Sequence, residues 1–248
     1  MIYYQKYGDD STPVIMLLHG TNFVHCFSKQ IDFLSKDYCV IVPHLPGFGR
    51  NCDTFFSADQ AVEQVAELAE SIGKPVTLVG FSLGAQLCLP LLCRHGELFG
   101  GAMMISPWLI KDNAEVEKMM KQQSDNEKSM RSGLISGLNS LTAGLDKDER
   151  KEHAEFCKNV SMRSILASID NGIVLSDYPE YGQINKPLAA ICGIKESTDT
   201  RKTVRALAQQ NPHCTYDMWD GAGHNIPFKC ASRLNKAIVE LEKKILNG

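Results

Sequence analysis

Six short apolar, β-branched runs recur along this chain: VIMLL (14–18), YCVIV (38–42), VTLVG (76–80), GAMMIS (101–106), LAAIC (188–192) and CTYDMW (214–219). Most are separated by segments with helical patterning. A run that is apolar at every position suits a strand covered on both faces, and strands that alternate with helices must return by crossover connections. The pattern therefore predicts an α/β fold on a mainly parallel sheet, with one further strand near 2–7 lying antiparallel at its edge.

Helix signals fill the gaps. In SADQAVEQVAELAESIG (57–73), Ser57 and Gln60 have capping-box spacing, and Gly73 marks the stop. Further helices are predicted over 201–210 and 227–246, the latter with Ile238, Leu241 and Ile245 on one face. The rhythm breaks between 107 and 186, which is rich in Lys, Glu, Ser, Met and Leu and has no strand pattern. Helical candidates there fall near 113–130, 132–144, 147–158 and 161–175. Both flanks return to strands of one type, so the organisation predicted is a core of 1–106 and 187–248 with a helical cap inserted at 107–186.

The composition excludes some function classes. The formal charge is −3 and no Lys/Arg run is present, so nucleic acid is not an expected partner. No apolar run reaches the roughly 20 residues that span a bilayer, and the N-terminal residues lack a secretory pattern; a cytoplasmic protein without a membrane partner is expected. The nine cysteines include no C-x-x-C pair and are read as reduced, mostly packed thiols, with no metal site. The oligomeric state is left open.

The chemistry is concentrated in VTLVGFSLGAQ (76–86). If the strand ends at Gly80 and a helix starts by Ala85, Ser82 occupies a tight turn that exposes its hydroxyl, and Gly80 and Gly84 remove side chains that would collide across it. The N–H of Leu83 then lies at the helix N-terminus, where it can meet an oxyanion. The loop after VIMLLHG supplies a second donor, the N–H of Thr21 or, failing that, Asn22. His19 reads as an organiser of that turn rather than as a base. In WDGAGHNIP, His224 sits in a Gly-rich loop after the last strand, from which it can reach Ser82 as general base.

With these features the chain resembles the α/β-hydrolase family over nearly its whole length. The matching motifs are His19-Gly20, Pro46-Gly47-Phe48-Gly49-Arg50, Gly80-Phe81-Ser82-Leu83-Gly84 and Gly223-His224. The resemblance implies a sheet of roughly eight strands and an acid between nucleophile and histidine, usually an aspartate in a Gly-x-x-Asp turn. Here that turn reads Gly193-Ile194-Lys195-Glu196, so Glu196 is the first candidate. Asp199 is the alternative, with helix N-capping as its plainer explanation. A second departure is His44, where the family commonly has an aspartate before Leu-Pro-Gly. Pro90, inside the helix after Ser82, is expected to kink it.

The function expected is that of a carboxylesterase-like or lipase-like serine hydrolase, acting on a small or medium ester through an acyl-enzyme without metal or organic cofactor. Phe23, Phe81, Trp108, Met103 and Met104 are candidates for the lining of an apolar substrate pocket. A carbon–carbon hydrolase or lyase on the same fold is the alternative, and a non-catalytic ligand sensor is disfavoured by Ser82 and His224.

Overall fold

The computed structural model describes residues 2–128, 141 and 145–247. Seven strands form one sheet: β1 (Tyr4–Tyr7), β2 (Val14–Leu18), β3 (Cys39–Pro43), β4 (Val76–Phe81), β5 (Phe99–Ile105), β6 (Leu188–Gly193) and β7 (Cys214–Trp219). Their order is β1-β3-β2-β4-β5-β6-β7, and only the β1–β3 pair is antiparallel. The seven described strands agree with the roughly eight-stranded, mainly parallel sheet expected, and 107–186 contributes helices and no strand among its described residues. Successive residues of the central strands divide between two cores. Met16, Leu18, Leu78 and Met104 face one side, and Ile15, Leu17, Val79 and Met103 the other, as the period of two requires.

The described α-helices are α1 (Ser28–Leu34), α2 (Ala58–Ile72), α3 (Leu83–Arg94), α4 (Asn113–Asp125), α5 (Lys147–Asn159), α6 (Met162–Ile169), α7 (Thr198–Gln210), α8 (Ile226–Lys229) and α9 (Ala231–Asn247), with short 3-10 turns between some of the elements. α2 ends at Gly73, whose φ of 71° is left-handed as a helix stop requires. The predicted capping box does not form: Ser57 is the N-cap, but its side chain makes no capping bond. A capping box does close α5, between Asp146 and Glu149. α6 is shorter than the pattern over 161–175 suggests, since the chain leaves the helix at Asp170 and turns through left-handed Gly172. The helix expected over 132–144 lies outside the described residues apart from position 141. α3 runs through Pro90 to Arg94, and the predicted C-terminal helix is two pieces, α8 and α9, joined at Cys230.

One buried pair in this frame makes a stability prediction. Glu242 of α9 is 2% exposed and meets the Thr77 hydroxyl of β4. Burial raises its pKa above 4.5, with the Thr77 hydrogen bond opposing the shift. The folded state therefore disfavours the carboxylate, and the cost builds as pH rises above the unfolded value. Glu242→Gln is expected to raise Tm by about 2 °C at neutral pH, a difference that shrinks to nothing toward pH ~4 in thermal melts.

Candidate active site

The order of strands sets the location. From β2 the chain passes to β3 on one side, then returns to β4 on the other, so the carboxyl ends of β2 and β4 flank the switch point where open α/β sheets form a crevice. Thr21 follows β2 and Ser82 follows β4. Ser82 has φ 54° and ψ −112°, a backbone conformation that L-residues rarely adopt. The turn that imposes it is tight. A Cβ on Gly80 would lie 2.3 Å from the Gly84 carbonyl oxygen, and one on Gly84 would lie 2.1 Å from that of Leu18.

Three side chains from three loops form one hydrogen-bonded chain. Ser82 Oγ is 2.9 Å from His224 Nε2, and His224 Nδ1 is 2.8 Å from Glu196 Oε2. An ionised carboxylate only accepts, so the proton of the neutral ring belongs on Nδ1 and Nε2 is left to accept from Ser82. Glu196 is held from behind, with Oε1 accepting from Ser106 Oγ at 2.5 Å and from the Gly193 N–H at 3.1 Å. Burial pushes the Glu196 carboxyl up, but His224, Ser106 and the Gly193 N–H together outweigh it and leave the group below its ordinary value.

Asp199 is not in this chain. It lies in the first turn of α7, 3.8 Å from Lys202, and Ser197 is the N-cap in its place. Ser106 carries no motif of its own in the sequence; only the pairing of β5 beside β6 brings it to Glu196.

The loop after β2 lies against the serine, since a Cβ on Gly20 would be 3.3 Å from Ser82 Cβ. Leu83 is the first residue of α3, directly after Ser82, and Thr21 lies in the loop after β2. Asn22 has φ 51° and donates from Nδ2 to Cys157 Sγ at 3.6 Å. The Thr21 hydroxyl is 3.0 Å from that of Ser168 in α6. A cavity of about 610 Å³ opens over Ser82 and His224. Phe23 and Phe81 line it together with Met119, His153, Cys157 and Phe228.

Trp108 does not line this cavity. It is 9% exposed and belongs to the core on one face of the sheet, with the Lys111 ammonium 5.4 Å from its ring. Met103 and Met104 are also absent from the lining, because β5 buries them on its two opposite faces.

Two buried histidines, His19 and His44, are structural by their bonds. His19 Nδ1 donates to the Gly20 carbonyl at 2.7 Å, and its Nε2 accepts from the Leu45 N–H at 3.0 Å. His44 Nδ1 accepts the Arg50 N–H at 3.0 Å, the kind of bond a carboxylate makes. Neutral imidazole therefore supplies the acceptor where an aspartate is common.

Burial lowers His19 and His153 to about 4 and His44 to about 3. Below pH 6.5 the unfolded chain takes up protons at these positions and the folded chain does not. Stability is thus full above 6.5 and is lost on acidification, by about 1.4 kcal/mol per pH unit per histidine. Burial lowers His25 as well, so the urea midpoint is expected to fall steeply between about pH 6 and 4.5, and His44→Asn to lessen that slope by roughly a quarter.

A model of the family described as "Alpha/beta hydrolase family" matches residues 15–237. The chain belongs to the alpha/beta hydrolase family. Within the family, the enol-lactonase from Burkholderia xenovorans LB400 aligns at a TM-score of 0.79 and 16% identity, covering 98% of this chain and 96% of that one. A thermophilic esterase from Thermogutta terrifontis aligns at 0.72 and 16% identity, covering 98% and 93%. The Biotin biosynthesis bifunctional protein BioHC of Teredinibacter turnerae is 38% identical over 110 residues. That match spans 42% of this chain but 19% of the relative's length. Among the described residues, no helix is long and apolar enough to cross a membrane, and no group of three His, Cys, Asp or Glu side chains is placed to hold a metal.

Proposed function

We propose that this alpha/beta hydrolase is a serine hydrolase that cleaves a small or medium carboxylic ester through an acyl-enzyme. The observation that carries the reading is the Ser82–His224–Glu196 chain opening into the cavity. His224 Nε2 takes the hydroxyl proton as Ser82 Oγ bonds to the ester carbon, and Glu196 stabilises the imidazolium that forms. The N–H groups of Thr21 and Leu83 stabilise the oxyanion, each by a few kcal/mol. His224 then protonates the departing alkoxide, and water releases the acyl group with His224 again as base. The reaction consumes one ester and one water and returns an acid and an alcohol. The helices of 107–186 act as a cap, with α4 and α5 supplying Met119, His153 and Cys157 to the pocket wall. The names of the enol-lactonase and esterase structures describe reactions of this kind.

Intact-mass measurement after treatment with a fluorophosphonate tests the reading. One adduct is expected on the parent and none on Ser82→Ala or His224→Ala. A parent that stays unlabelled, and that releases no nitrophenolate from nitrophenyl esters, refutes it.

A further inference from the structure

Ser106 is a second serine held in a left-handed conformation, with φ 55° and 1% exposure. Glycine would take that backbone without strain, so a serine there calls for a use of its side chain. The end of β5 is placed by two backbone bonds. The Ser82 N–H donates to the Ile105 carbonyl at 2.9 Å, and the Ser106 N–H to the Ile191 carbonyl at 2.7 Å. Ser106 thus sits between the strand that presents the nucleophile and the strand that leads to the acid. Its hydroxyl reaches Glu196 Oε1, while Oε2 faces His224.

We propose that Ser106 is a positioning residue for the acid: its hydroxyl, with the Gly193 N–H, locks the longer glutamate side chain in the one orientation that presents Oε2 to His224. The inference rests on the serine-hydrolase reading. A donor on the far oxygen also favours the ionised carboxylate, the form whose charge stabilises the imidazolium of His224. The other titratable groups around Glu196 do not replace this donor. Cys192 of β6 has a thiol pushed up to about 12 by burial and by the Glu196 charge, and Asp199 of α7 lies with Lys202.

Ser106→Gly and Ser106→Ala separate positioning from packing. Glycine removes the hydroxyl and the backbone strain together, whereas alanine removes only the hydroxyl. Both variants are expected to lose about tenfold in kcat on a nitrophenyl ester, with KM within about twofold of the parent. In both, the acid limb of kcat/KM moves to higher pH. Ser106→Gly keeps or exceeds the parent Tm. If Ser106→Gly retains the parent kcat and acid limb, the inference fails while the hydrolase reading stands. A parent inert to both fluorophosphonate and esters removes the reading, and this inference with it.

Discussion

Glu196→Gln is expected to lower kcat on an activated ester by about 10³–10⁴-fold without unfolding the protein. The amide matches the carboxyl in shape, yet it carries no charge to stabilise an imidazolium. It can also turn its NH₂ toward His224 and enforce the wrong tautomer. Glu196 is 8% exposed and sits between Ser106 and His224, so the loss arises in kcat rather than in substrate binding. Asp199→Asn, which touches neither residue, is expected to stay within about twofold of the parent. Steady-state kinetics on the two variants decides between the acids, and a large loss at Asp199 with little at Glu196 would reverse the assignment.

Gly84→Ala carries the second large effect, on the fold and the site at once. The new Cβ would meet the Leu18 carbonyl oxygen at 2.1 Å, and that atom belongs to the backbone of a central strand. Nothing flexible can yield, and α3 must move away from β2. The cost is expected to be about 3 kcal/mol or more in urea unfolding. Because α3 carries the Leu83 N–H beside Ser82, the surviving folded fraction is also expected to react slowly with fluorophosphonate. Gly96→Ala is the control, since a Cβ there meets nothing within 4 Å. An unchanged urea midpoint in Gly84→Ala would mean that the elbow is looser than its geometry implies.

Much of the site is legible in the amino-acid order. Ser82 and His224 each follow a predicted strand and are flanked by glycines, so local pattern alone assigns them to one edge of a sheet. Spacing from Gly193 favours Glu196 over Asp199, and the Gly193 N–H bond to Glu196 Oε1 is the reason that spacing matters. Ser106 has no such signal. Its partner is 90 residues distant, and no local rule marks a serine whose use lies across a strand pairing. Trp108 fails as a pocket residue for a related reason, because sequence position puts it just beyond a strand end but the folded chain places it in the core. Ser57 shows the same limit on a smaller scale, where capping-box spacing is present and the bond is absent.

Features governed at short range thus follow from the order of residues. The central apolar runs become strands covered on both faces, whereas the edge strand β7 leaves Thr215 to Asp217 exposed; Gly73 stops a helix, and the Gly80–Gly84 spacing permits the strained turn at Ser82. Other features arise only when the chain is folded: which carboxylate meets His224, which serine steadies that carboxylate, and which aromatic rings face the cavity. They depend on strand order and on distances between loops far apart in the chain, quantities that no local propensity encodes.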